Sequence, residues 1–171
     1  RRLEVIAEAA AHGKHLLIQK PVAHSVRVAN EMAAVAETGK IWLAVNQNCR
    51  YNPANFTVRQ LLDPDRLGPA RIIELQQYWG SGAVPSTKGH AVATIDHAIH
   101  HADLIRWWAG SACISVYARA RQGSTLAIYE FENGAVAYHM EAHSGVRAHE
   151  NTVRITTDRG TIKAGHNWGW H

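Results

Sequence analysis

A chain of 171 residues can bury a sizeable core, and its composition is that of an ordinary globular protein: 46% hydrophobic and 19% charged. The net charge of +4 is spread over 18 basic and 14 acidic residues without a Lys/Arg run, so nothing supports nucleic-acid binding. No apolar stretch approaches the roughly 20 residues that cross a bilayer, which argues against a membrane role.

Arg1 to Ala11 reads as a helix from its first residue, with Leu3, Val5, Ile6, Ala9 and Ala10 forming an apolar stripe. Neither an initiator Met nor a capping residue precedes it, so the chain is expected to begin inside an element of a larger protein. Gly13 stops this helix, and His15 to Gln19 (HLLIQ) reads as a buried strand. Ser25 is a candidate cap for a helix from Val26 to Glu37, closed by Gly39, and Ile41 to Asn46 (IWLAVN) is a second buried strand. Strand, helix and strand in about 30 residues make a βαβ unit and predict a parallel sheet.

Arg50-Tyr51-Asn52-Pro53 ends that grammar, and the domain boundary is expected near Asn52, dividing the chain into 1–52 and 53–171. Pro53 starts a helix to Leu62, followed by the turn Asp63-Pro64-Asp65. Arg71 to Trp79 alternates as a strand, Gly80 to Gly89 reads as a loop, and Thr94 to Ala109 as a helix ending at Gly110. Strands follow at Ile114–Arg121, Ser124–Glu132, Ala135–His143, Asn151–Thr157 and Thr161–Ala164. Asn133-Gly134 is a hairpin turn of the kind that needs positive φ. The expected class is α/β: part of a parallel sheet, then an α+β domain with a mostly antiparallel open sheet.

Three groups of residues could carry chemistry. Lys20 sits at the C-terminal end of a parallel strand, where open α/β sheets bind ligands, and Pro21 fixes the backbone after it. On the predicted helix, Asp96, His100, Asp103 and Trp107 share one stripe. Buried carboxylates and imidazoles cost several kcal/mol unless paired, so this stripe is either a satisfied network or a working site. His100 has the pKa range for accepting the proton of an alcohol as hydride leaves, and Asp96 one turn away could orient it. A competing reading is a transition-metal site from His97, His100, His101 and Asp96, with a further ligand from His139, Glu141 or His143 on one strand face. The plain alternative for that strand face is an exposed polar surface. The leading assignment contains no metal.

Gly80 and Gly82 are followed by Pro85 at the third glycine position, so no dinucleotide-binding fingerprint occurs in this sequence. Cys49 and Cys113 lack metal or redox spacing, which suits a reduced, cytoplasmic protein.

The run Ala11-His12-Gly13-Lys14-His15-Leu16-Leu17-Ile18-Gln19-Lys20-Pro21 resembles the A-G-K-H…E-K-P segment of the Gfo/Idh/MocA oxidoreductases, relatives of glucose-fructose oxidoreductase and inositol dehydrogenase. Arg50 to Pro53 is similar to their R-Y-N-P turn, and Asp96, His100, Asp103, Arg106 and Trp107 are similar to their D-x-x-x-H-x-x-D-x-x-R-W helix. The resemblance implies the last part of a Rossmann domain followed by a domain whose sheet joins subunits into dimers or tetramers. It implies an NAD- or NADP-dependent dehydrogenase acting on a secondary hydroxyl of a sugar, cyclitol or related polyol. Lys20, Asp96 and His100 would be catalytic, Gln19, Lys20, Pro21, Asn46 and Arg50 would contact the cofactor, and Tyr51, Trp79, His97 and His101 the substrate. Gln19 stands where the family usually has Glu, removing a charge beside Lys20. The phosphate-binding half being outside these residues, the chain alone is expected to be inactive. The other reading is a non-catalytic oligomerising or binding module built on the same sheet.

Overall fold

The computed structural model describes residues 1–79, 90–121, 124–143 and 150–165; for Trp79, residues 90–97, Arg121 and His143 it describes the backbone but not the side chain. The chain divides into two compact units, Arg1–Asn48 and Cys49–His171.

The first unit contains α1 (Arg2–Ala11), β1 (Leu16–Gln19), α2 (Val26–Thr38) and β2 (Leu43–Asn46). The two strands pair in parallel with Gln19 opposite Asn46, as the strand-helix-strand grammar requires. Ser25 caps α2 by accepting a hydrogen bond from the Val28 amide at 3.3 Å. Gly39 follows α2, but for a reason other than a left-handed turn. Its φ is −76°, and the positive φ of 52° falls on Lys40. Gly39 is instead required by proximity, since a Cβ there would lie 2.6 Å from the Ala10 Cβ of α1. The strand after this turn starts at Leu43 rather than Ile41, because the Ile41 amide bonds back to Ala36 at the end of α2.

The second unit opens with a short 3-10 turn (Asn48–Tyr51) and α3 (Pro53–Leu61). Asn52 caps α3 through a bond from the Ala54 amide at 3.0 Å, and Pro53 occupies its first turn. Then come β3 (Ile72–Trp79), α4 (His90–Ala109), β4 (Cys113–Arg121), β5 (Ser124–Phe131), β6 (Val136–His143), β7 (Glu150–Thr156) and β8 (Thr161–Gly165). The helix α4 begins at His90, four residues before the expected Thr94; the stretch His90-Ala91-Val92-Ala93 carries no helix breaker. The predicted loop 80–89 lies outside the described residues.

Among the described residues, six strands form one sheet in the order β4-β5-β6-β3-β7-β8. Only β3 and β6 run parallel; every other neighbouring pair is antiparallel. The turn Asn133-Gly134 joins β5 to β6 with φ 82° at Gly134. Asn133 also donates from Nδ2 to the Ala109 carbonyl at 3.0 Å, so the hairpin satisfies the C-terminal end of α4.

One face of this sheet packs under α4. Its core includes Ile73, Leu75, Ala137, Val153 and Ile155 on strands, Leu104, Ile105, Trp108 and Ala109 on α4, and Val58 and Leu62 from the α3 region. Trp108 additionally donates to the Asn55 carbonyl at 3.2 Å, and Asn55 to the Cys49 carbonyl at 2.9 Å, which fixes the 3-10 turn, α3 and α4 together. Cys49 is buried and Cys113 exposed; no disulfide joins them. Among the described residues, no helix is long and apolar enough to cross a membrane.

Candidate active site

The register across the sheet makes the floor beneath α4 a graded surface. One row, Tyr129, Ala137, Ile73 and Ile155, is apolar. The next, Ala127, His139, Leu75 and Val153, contains one imidazole. The third, Thr125, Glu141, Gln77 and Asn151, is wholly polar. His139, Glu141, Gln77 and Asn151 are 1%, 2%, 2% and 7% exposed, which corrects the reading of the His139–Glu141 strand face as a solvated surface. The reason is α4, which covers the face that sequence alternation alone leaves unassigned.

His101, 5% exposed, meets His139 at 3.0 Å between Nδ1 and Nε2, with ring centroids 4.8 Å apart at 67°. Burial pushes the His139 imidazole down to about 4, so it is neutral near physiological pH. His100, the expected base, is partly buried with its Nδ1 fully enclosed. Asp103 receives two bonds from Arg50, 2.7 Å from Nε and 2.6 Å from Nη2. That pair holds the guanidinium pKa up and is partly sheltered, with side chains 30% and 13% exposed. Trp107 lies under the same guanidinium at 5.5 Å and beside Phe56 at 6.4 Å.

The structure therefore brings Arg50 to the α4 stripe through Asp103, with Nε and Nη2 committed to the carboxylate. Tyr51 beside it is 77% exposed. The side chains of Asp96, His97 and Trp79 lie outside the described residues. The buried oxygens Gln77 Oε1 and Asn151 Oδ1 accept no hydrogen bond among the described residues. Sequence reasoning missed Gln77 and Asn151; both interrupt otherwise alternating apolar positions, which was the available signal.

In the first unit, Gln19, Lys20, Pro21 and Asn46 gather where the two parallel strands end. The Gln19 Oε1 accepts from the Lys20 amide at 2.9 Å, and the Lys20–Pro21 peptide is cis. Arg2 donates to the carbonyls of Pro21 and Val22, securing the segment after the strand. Lys20 is half-buried. Gln19, Lys20 and Asn46 are polar groups at the carboxyl ends of parallel strands, the place where open α/β sheets bind ligands.

Comparison with known proteins agrees with this architecture. Residues 56–163 match the family model for the GFO/IDH/MocA C-terminal domain. The chain is 23% identical over 174 aligned positions to the uncharacterized oxidoreductase YrbE of Bacillus subtilis, covering 94% of this chain and 51% of that protein. It is 27% identical over 146 positions to the protein y4oX of Sinorhizobium fredii, covering 77% and 40%. The chain thus spans about half, or less, of these curated relatives. Among solved structures, scyllo-inositol dehydrogenase of Lactobacillus casei with bound NAD(H) and scyllo-inositol superposes with a TM-score of 0.80, at 18% identity, over 95% of this chain and 53% of that one. At that identity the likeness speaks for the fold. The chain belongs to the GFO/IDH/MocA family, whose C-terminal domain makes up most of its second unit.

Proposed function

We propose that the protein carrying this chain is an NAD- or NADP-dependent dehydrogenase acting on a secondary hydroxyl of a cyclitol, sugar or related polyol. The observation that supports this most is the polar row Thr125, Glu141, Gln77 and Asn151, sunk in the floor beside the α4 stripe. Amide and carboxylate oxygens there are acceptors, and a polyol offers several hydroxyl donors. The family assignment and the inositol dehydrogenase among the structural neighbours point to the same substrate class.

In this reading the bound nicotinamide supplies or accepts the hydride. His100 takes the proton of the reacting hydroxyl, and Asp96, one turn earlier on α4, orients it. Lys20, in the first unit, contacts substrate and the cofactor ribose, with Gln19, Pro21 and Asn46 shaping that end; Arg50 would add a cofactor contact. Tyr51, Trp79, His97 and His101 would line the substrate.

The test is reduction of NAD and NADP by the full protein with a panel of inositols and aldoses. Hydride transfer to either cofactor with one polyol class is the expected result. Failure with every polyol while the cofactor still binds would overturn the substrate assignment.

A second role has its own support. The sheet face away from α4 exposes Ile72, Tyr117, Leu126, Ile128 and Val136 by 39–56%. An apolar surface of this kind on a soluble domain suits a subunit contact, and a homo-oligomer formed through this sheet is the arrangement we propose. Sedimentation that gave only monomer at all concentrations would remove it.

A further inference from the structure

The sheet floor holds a second cluster of donor atoms that the dehydrogenase reading uses only as lining. His139 and Glu141 are two residues apart on β6, so their side chains leave the same face. His101 descends onto them from α4. All three are at least nine-tenths buried, and one ligand atom from each falls within 4.8 Å of the others.

We propose that His101, His139 and Glu141 form a three-ligand site for a divalent transition-metal cation of the zinc class. Geometry carries the argument. Bonds of about 2.0–2.1 Å in a tetrahedral site put neighbouring ligand atoms about 3.3 Å apart. The two imidazole nitrogens stand 3.0 Å apart already, with their rings inclined rather than stacked. One ligand atom from each of the three residues, a Glu141 carboxylate oxygen among them, lies within 4.8 Å of the others, so the donors converge on one point.

The donor set selects the kind of ion. Two imidazoles and one carboxylate suit zinc, cobalt(II) or nickel(II), whereas calcium and magnesium call for oxygen-rich shells. Three protein ligands leave a fourth position for water or a substrate hydroxyl, the pattern of catalytic rather than closed structural sites. The cluster differs from the one that helix spacing suggests: His101 turns to the strand residues, and His100 is not a member. The site shares His101 and Glu141 with the lining of the dehydrogenase reading, and the metal titration tests it separately from hydride transfer.

The experiment is titration of metal-stripped protein with cobalt(II), followed by visible absorption and competition with zinc. One equivalent per chain, giving the intense visible bands of four-coordinate cobalt(II) and displaced by zinc, is expected. Glu141→Gln keeps the side-chain shape and removes the anionic ligand, so it should weaken binding at least tenfold; His139→Gln should abolish the bands. Absence of stoichiometric binding to the unaltered chain overturns the proposal. So does binding that both variants leave unchanged, which would locate the ion at other histidines.

Discussion

The Arg50 guanidinium grips the Asp103 carboxylate with two parallel bonds of 2.7 and 2.6 Å, linking the turn before α3 to the middle of α4. Fork-to-fork geometry of this kind fixes orientation as well as distance. Removing the arginine leaves a carboxylate that is 13% exposed without its partner. Arg50→Ala is expected to cost about 1–3 kcal/mol in denaturant unfolding, less than for a fully buried pair because water reaches this one. Arg50→Lys should recover part of the loss, since a lysine keeps the charge and forfeits the fork. Equal stability of Arg50→Ala and the unaltered chain would show that the pair contributes nothing.

His139 makes stability depend on acid. Its ordinary value of 6.5 falls to about 4 in the folded chain, so between these limits the unfolded chain binds the extra proton. Stability is therefore complete above about pH 6.5 and is lost as pH drops toward 4, by about 3 kcal/mol in all. His101 and Glu141 face the same ring, and their charges set how much of that loss is realised. Urea midpoints measured from pH 7 to pH 4 should fall for the unaltered chain and flatten in His139→Gln. A parallel fall in both would assign the acid sensitivity elsewhere.

Gly39 is a steric requirement. A Cβ added there would stand 2.6 Å from the Ala10 Cβ, so Gly39→Ala must push α1 away from α2. The expected cost is about 1–3 kcal/mol, the range for overpacking. Because the backbone at Gly39 is ordinary right-handed helix, the double change Ala10→Gly with Gly39→Ala should restore most of it. A melting temperature unaltered by Gly39→Ala would contradict the packing argument.

For the proposed dehydrogenase, His100→Asn and Lys20→Ala in the full protein should each lower kcat by about 10²–10⁴. The His100 change should also remove the acidic limb of the rate profile, because the base would no longer titrate. Turnover within twofold of normal for either variant would take that residue out of the chemistry.

The proposed subunit contact makes a separate demand. Ile128→Glu places a charge in the exposed apolar face of the sheet and should shift the assembly to monomer without changing the far-ultraviolet spectrum. An unchanged sedimentation coefficient would direct attention to another surface.

Periodicity made the local elements legible. Ser25, Pro53 and Asn133-Gly134 each announce a boundary through side-chain or backbone chemistry that acts within a few residues, and the structure places each as read. Pairing order was not legible: β3 slots between β6 and β7, and β6 lies more than 50 residues away along the chain, where no local pattern reports a partner. The same gap explains the site. His100 and Asp103 could be aligned by counting helical turns, but the meeting of His101 with His139 depends on how α4 crosses the sheet. Alternation at 139 and 141 said that two side chains share a face and was silent on whether that face is wet or dry.

The graded floor under α4 divides labour along a single strand. Ile73 and Leu75 anchor β3 in the dry interior, while Gln77, two residues farther, belongs to the polar row. Substitutions at the polar row can therefore alter what the floor recognises and leave the foundation of the fold intact. A lineage could explore new chemistry at one end of these strands while the other end keeps the domain standing.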